Sequence, residues 1–222
     1  EEEGAVAGAM MGSEDSSAVH VIAWTTTPWT LPSNTALTVG PKIEYVKVRT
    51  KNQYTGEAND VVLAKELVSK WFGGHNQPTV EAMSAPFPGS KLEGIRYEQL
   101  LEAPTPEDGD AFRVITVNFV TSDAGTGIVH TAPSFGQDDM AVGKANGIGS
   151  LTLVDKQCKF TDDAGQFAGR YVKDYKDAPD YKDVNVDIAI HLKTVGQAFN
   201  VAKYNHSYPH CWRTDKPVLY YP

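Results

Sequence analysis

Apolar and polar positions alternate in some stretches of this chain and recur every three to four residues in others. Each change of period marks an element. Val19 to Trp24 (VHVIAW) predicts a strand, and Tyr45 to Arg49 (YVKVR) predicts a second with alternating faces. Leu63, Leu67 and Trp71 fall on one helical stripe, so residues 63–72 read as a helix stopped by Gly73-Gly74. Phe112 to Val120 (FRVITVNFV) is the clearest β pattern, with Phe112, Val114, Thr116 and Asn118 on one face. Gly125-Thr126-Gly127 then turns the chain into a short strand, Ile128 to His130. A helix is expected from near Gly136 to Asn146-Gly147, and Leu151 to Val154 returns as a strand. Val184, Ile188 and Leu192 repeat at helical spacing before Gly196, and Phe199 to Tyr204 resumes an extended pattern.

Pro86, Pro88 and Gly89, then Pro104, Pro106 and Gly109, break the chain between these elements, and residues 52–110 carry no chemical signal. Residues 206–222, with Pro209 and Pro217, have no clear periodicity and read as a connector. Many short strands with few helices predict a mainly β, α+β fold: a barrel-like β core with helices on its outside. The expected organisation is an N-terminal connector over 1–18, one domain over 19–205 and a C-terminal connector over 206–222.

Length and composition narrow the class without deciding it. The chain has 222 residues, 41% apolar and 22% charged, enough for an ordinary core in one domain. The longest apolar runs, such as Val61-Val62-Leu63-Ala64, are far too short to span a bilayer. Glu1-Glu2-Glu3-Gly4 offers no basic or apolar leader and no initiator Met, a start that points to a piece of a larger protein. Cys158 and Cys211 are too few for a disulfide framework, and free thiols in a reducing cytoplasm are the expectation. His206, His210 and Cys211 cluster, but a fourth ligand at zinc spacing is missing, so no metal site is expected. The net charge of −8, with 28 acids against 20 bases, argues against a domain that grips duplex nucleic acid. An RNA substrate would have to present only its tip.

Three segments can carry chemistry. In Trp24-Thr25-Thr26-Thr27-Pro28-Trp29-Thr30-Leu31-Pro32-Ser33-Asn34 a strand runs into three hydroxyls and a proline-braced loop. Those hydroxyls suit sugar oxygens, a carbonyl or a held water, although a β-edge followed by a proline turn explains them too. In Gly125-Thr126-Gly127-Ile128-Val129-His130-Thr131-Ala132-Pro133 the glycines let backbone approach a ligand, and His130 ends a strand. No Gly-Lys-Ser/Thr follows, so this is not a phosphate loop, and a lone strand-end histidine is commonly structural. Asp138-Asp139 falls in a helical first turn, where the dipole favours carboxylates. That accounts for one aspartate better than for two, and a spare carboxylate suits an ammonium. Gly-x-Ser-x-Gly and His-Glu-x-x-His are absent. The residues alone leave open a hydrolase using a held water and a binding domain.

Taken together, the three segments resemble the editing insertion of class I aminoacyl-tRNA synthetases for branched aliphatic amino acids, and within that group the isoleucyl enzymes. WTTTPWTLPSN is similar to their threonine-rich motif, GTGIVHTAPSFGQDD to their second editing motif, and HSYPHCWRTDKP to the segment returning to the catalytic domain. The resemblance covers roughly residues 19–40, 119–155 and 165–222. It implies a barrel-like module that hydrolyses valyl-tRNA(Ile), and valyl-adenylate besides, with no metal or cofactor of its own. ATP and magnesium would belong to the parent's catalytic domain. The partner implied is the single-stranded CCA end of tRNA(Ile) carrying valine, met by a monomeric, cytoplasmic module that touches no membrane.

By the same resemblance, Asp139 matches the anchor of the α-ammonium. Thr27 and His130 match residues that line the side-chain pocket and exclude isoleucine. Thr25, Thr26 and Asn34 match polar groups around the terminal adenosine and the ester, and Trp29 lies within the same motif. His130 as a general base is the mechanistic alternative. Two other readings remain: a catalytically silent module binding the tRNA 3′ end or an aminoacyl-adenylate, and an unrelated barrel mediating protein contacts. A structure placing Thr25, His130 and Asp139 far apart would favour the last.

Overall fold

The computed structural model describes residues 5–7, 9–11, 18–173, 182–203 and 208–221. Eleven strands are found among them, beginning with β1 (Ala5–Ala7), β2 (Ala9–Met11), β3 (Val19–Val21) and β4 (Ala36–Val39). Then come β5 (Glu44–Lys51), β6 (Ala58–Ala64), β7 (Ala82–Met83), β8 (Phe87–Pro88), β9 (Arg113–Thr116), β10 (Ile128–Thr131) and β11 (Asn200–Ala202). The helices are α1 (Val68–Trp71), α2 (Gln137–Asn146) and α3 (Val184–Thr194).

The larger sheet runs β2-β3-β6-β5-β7, with β8 also on β5, and the smaller runs β10-β4-β9. β3 lies parallel to β6 and β4 parallel to β9, while the other pairings within these sheets are antiparallel. A parallel bridge between Trp24 and Val129 ties the two sheets, and the Ala64 N–H donates to Thr126 O at 2.9 Å close by. The barrel-like expectation thus takes the form of two bridged sheets around one apolar cluster, which includes Val21, Ile22, Leu37, Val46, Val48 and Leu63. β5 shows why: Val46 and Val48 are fully buried, while Lys47 and Lys51 point to water.

A second apolar cluster is built on α3. Its predicted stripe is seated there, with Val184, Ile188 and Leu192 fully buried, and Asp183 caps its first turn by accepting the Asn185 N–H. Gly196, at φ +74°, follows its end, as expected. The helix expected from Gly136 is α2, with Gly147 in the left-handed conformation past its last residue.

Three expectations are corrected. Leu63 and Ala64 are strand residues, paired with Val46 and Tyr45, and only Lys65 onward turns helical. The stripe of Leu63, Leu67 and Trp71 reflects burial of all three residues, which two different backbone forms satisfy. β9 stops at Thr116 rather than Val120, because its partner β4 ends at Val39. Leu151, Leu153 and Val154 are buried, but only Val154 makes a bridge, to Phe160. Ala5–Ala7 and Ala9–Met11 form β1 and β2, and β1 pairs antiparallel with β11. At the other end, Cys211 N–H to Lys216 O and Asp215 N–H to Cys211 O, both 2.8 Å, fold a small turn. No helix among the described residues is long and apolar enough to cross a membrane.

Candidate functional site

Pro28 sets the first geometry. Lacking an N–H and fixed in φ, it opens a 3-10 helix, Pro28–Ser33, directly after Thr27. In such a helix residues three apart eclipse. Thr27 and Thr30 therefore stack, with the Thr30 amide and hydroxyl both donating to Thr27 O at 3.0 and 2.8 Å. Upstream, the Thr27 N–H donates to Thr25 Oγ1 at 3.0 Å, and the hydroxyls of Thr25 and Thr27 lie 3.3 Å apart.

Opposite them stands β10. His130 is buried and bonded through both ring nitrogens, Nε2 to Thr30 Oγ1 and Nδ1 to Asn34 Nδ2, each at 2.9 Å. The Asn34 amide nitrogen also lies 2.8 Å from Ala36 O and 3.3 Å from Thr131 O, so its two protons are shared among three acceptors, and carbonyls only accept. The nitrogen of that amide must therefore face His130, whose Nδ1 accepts. The proton sits on Nε2 and is donated to Thr30 Oγ1, whose own proton goes to Thr27 O. Both nitrogens of the neutral ring are engaged.

Beyond β10 the chain passes Pro133–Phe135 into α2. Asp139, in the first turn, does not cap its own helix. Its Oδ2 accepts the Ala132 N–H at 3.0 Å, so the end of the His130 strand fixes the carboxylate. Burial raises the Asp139 pKa above the ordinary carboxylate value; the Ala132 N–H opposes this and the Asp138 charge adds to it. A half-buried carboxylate held this way favours a cationic partner.

These elements enclose a hollow of about 240 Å³ lined by Trp24, Thr25, Thr26, Thr27, Thr30, His130, Ala132, Phe135 and Asp139. Thr25, His130 and Asp139 thus share one cavity, and the separation that would have favoured the protein-contact reading is not found. A cation entering it would meet Asp139, and an apolar group would meet the imidazole and threonine methyls.

Two residues with expected site roles lie outside the lining. Trp29 is a core residue, 3% exposed, edge-on to Phe135 at 5.0 Å, with its backbone N–H on Asn185 Oδ1. Asn34 is buried behind His130, its amide spent on protein partners, with Oδ1 accepting from Tyr97 Oη at 2.6 Å. Neither side chain lines the hollow, and both are packed against protein partners. Gly125 and Gly127 also serve the protein itself: a Cβ on Gly127 would lie 2.5 Å from Ala64 Cβ, and one on Gly125 3.2 Å from Trp24 Cβ. Sequence reasoning missed Trp24, Thr30, Ala132 and Phe135. Thr30 had a usable signal, its spacing of three from Thr27 in a proline-led turn. Of the residues weighed for zinc, His206 lies outside the described residues; among the described ones no group of three His, Cys, Asp or Glu is placed to hold an ion.

Burial lowers the His130 pKa from 6.5 to about 4. Between those values the unfolded chain binds the proton that the folded one refuses. The stabilisation is therefore complete above pH 6.5 and lost as pH falls towards 4. The window is worth about 3 kcal/mol. Asp139 acts with the opposite sign, so comparison with His130→Gln isolates the imidazole. Urea melts from pH 7 to pH 4 should show the wild type losing about 3 kcal/mol more than that variant. Parallel pH profiles would contradict a neutral buried ring.

Comparison with known proteins gives the following. The chain is 47% identical over 238 residues to isoleucine–tRNA ligase of Cytophaga hutchinsonii, covering 91% of the chain and 21% of that protein. Isoleucine–tRNA ligase of Porphyromonas gingivalis is 44% identical over 243 residues (90% and 21%), and that of Clostridium tetani 42% over 203 residues (91% and 18%). The chain spans about a fifth of the length of the curated relatives it matches. Among solved structures, GlLeuRS-CP1 superposes with a TM-score of 0.62 at 16% identity, covering 91% of the chain and all of that structure. The P. knowlesi cytosolic leucyl-tRNA synthetase editing domain gives 0.61 at 10% identity, covering 91% and 97%. At such identities the likeness is one of fold. No protein-family model matches the chain.

Proposed function

Because the chain belongs, as a segment, to the isoleucine–tRNA ligase family and carries the fold of synthetase editing domains, we propose that it is the proofreading hydrolase of its ligase, removing valine from tRNA(Ile). The observation that carries this reading is the shared cavity. A carboxylate for the ammonium, hydroxyls for an ester and a rigid neutral ring for the side chain all face about 240 Å³ of open space.

The physical problem is one methylene, worth only about 1–3 kcal/mol to an attractive pocket, as the general case of isoleucine against valine exemplifies. A second cavity that admits valine and collides with isoleucine adds a much steeper filter, since packed walls yield little. His130 suits the wall. Its ring is braced at both nitrogens, and Nδ1, the lone pair a base would use, already accepts from Asn34. That favours the steric role over the general-base alternative. Asp139 Oδ2 is engaged by Ala132, which leaves Oδ1 for the ammonium. The aminoacyl ester is already activated, so a water oriented by Thr25, Thr26 and Thr27 suffices.

The same cavity takes the valyl group of valyl-adenylate, and the CCA end is the part of the tRNA that meets it. A net charge of −8 is consistent with a domain receiving only that tip, in the cytoplasm, while the rest of the ligase grips the tRNA. The test is calorimetric titration of the chain with amide-linked, non-hydrolysable valyl- and isoleucyl-adenosine. The valyl compound should bind at least tenfold tighter, with deacylation of valyl-tRNA by the intact ligase showing turnover. Equal affinities would remove the exclusion reading, and binding without turnover would leave a silent binding module.

A further inference from the structure

The hydrogen bonds behind the cavity run in one direction only and begin at a residue from the stretch without chemical signal. Tyr97 donates to Asn34 Oδ1 at 2.6 Å; Asn34 Nδ2 donates to His130 Nδ1 at 2.9 Å; His130 Nε2 donates to Thr30 Oγ1 at 2.9 Å; and Thr30 donates to Thr27 O at 2.8 Å. Each direction is forced by the one before it, because the backbone carbonyls of Ala36 and Thr131 fix which end of the Asn34 amide is nitrogen. A carbonyl oxygen facing Tyr97 requires the phenol to be the donor. We propose that Tyr97 is a positioning residue for discrimination: its hydroxyl locks Asn34, and through Asn34 the tautomer and ring plane of the His130 wall.

Tyr97 is itself held firmly. It is 5% exposed in the main apolar cluster, edge-on to Phe112 at 6.1 Å. Phe112 sits at φ +55°, a conformation that costs a bulky residue free energy and persists only where its surroundings enforce it. They do so here. The Phe112 N–H donates to Thr35 O at 2.7 Å, and Phe112 O accepts the Tyr97 N–H at 2.9 Å. Backbone bonds thereby tie Tyr97 to the residue next to Asn34. The phenol never reaches the cavity, so it acts only through the residues it orders. A wall that distinguishes substrates by one methylene has to be placed within about 0.5 Å, which makes this support part of the specificity.

This inference rests on the editing reading, and the experiment separates the two. Tyr97→Phe keeps the ring and removes only the donor, leaving Asn34 Oδ1 unsatisfied in the interior. Two measurements apply: deacylation of valyl- and isoleucyl-tRNA by the intact ligase, and nitrogen NMR of His130 in the 222-residue chain. The wild type should show one tautomer with Nε2 protonated. Tyr97→Phe should show an altered or averaged imidazole signal and a valyl-to-isoleucyl preference about tenfold lower, with valyl-tRNA cleavage within a few fold of normal. Val48→Ala, a core truncation that leaves every bond of the relay in place, serves as the stability control and should leave both readouts unchanged. An unaltered His130 signal and preference in folded Tyr97→Phe would overturn the proposal, as would an equal drop in preference in Val48→Ala. If Tyr97→Phe fails to fold, Asn34→Ala is read in its place, and an unchanged His130 signal there overturns the proposal equally. Absence of valyl-tRNA hydrolysis in the wild type would instead overturn the editing reading, and the imidazole signal would still decide the role of Tyr97.

Discussion

Replacing Asp139 with alanine should lower deacylation of valyl-tRNA by about a hundredfold or more in kcat/KM. A charge-assisted hydrogen bond in a half-buried site contributes about 1.5–3 kcal/mol. Losing the fixed orientation of the ester adds to that, because a misplaced carbonyl no longer meets the held water. Asp139→Asn separates charge from support. An amide oxygen still accepts the Ala132 N–H, so the turn between β10 and α2 keeps its bond, but the ammonium loses its counter-charge. The asparagine variant should therefore be nearly as slow as the alanine variant. It should also be more stable than the wild type at neutral pH. Burial raises the Asp139 pKa, so the fold favours the protonated carboxyl, and ionisation weakens the native state as pH rises past the unfolded value near 3.8. Thermal melts at pH 7 should show a higher midpoint for Asp139→Asn, with the gain vanishing near pH 3. A near-normal deacylation rate in the asparagine variant would remove Asp139 from its anchoring role.

That trade of stability for function bears on what the sequence allowed one to read. Elements with a single physical cause were legible: α3 because Val184, Ile188 and Leu192 face one core, α2 because Gly147 ends it, β5 because its faces alternate. Leu63 to Trp71 was misread because a buried strand end and a buried short helix leave the same trace in a hydrophobic pattern. At the site, Thr25, Thr26, Thr27, His130 and Asp139, five of the nine residues lining the cavity, announced themselves as unusual polar residues. Those that hold them did not. Trp29 and Asn34 share the same motif yet point into the protein, and a motif does not say which of its members face the ligand. Tyr97 lies 63 positions from Asn34, in a segment without pattern, and only the folded chain brings the two together.

His130→Ala decides between the two roles open to the imidazole. If His130 were the base, its loss would stop cleavage of valyl-tRNA and leave isoleucyl-tRNA uncleaved as before. As a wall, its loss opens room where the extra methylene of isoleucine would otherwise collide, so isoleucyl-tRNA becomes a substrate while valyl-tRNA remains one. One methylene is worth about 1–3 kcal/mol, so the preference for the valyl ester should fall by roughly tenfold to two-hundredfold. The fold will weaken too. Thr30 Oγ1 loses the donor it accepts from, Asn34 Nδ2 loses an acceptor, and a ring-sized void forms, together costing about 2–4 kcal/mol. Deacylation is therefore best measured below the melting transition, with both esters on the same preparation. In the intact ligase the wall reading has a further consequence that a lost base cannot imitate. The variant should hydrolyse its own correct product, so ATP consumption with isoleucine and tRNA present should rise while the plateau of isoleucyl-tRNA falls. A variant that leaves isoleucyl-tRNA intact and no longer cleaves valyl-tRNA would refute the steric assignment.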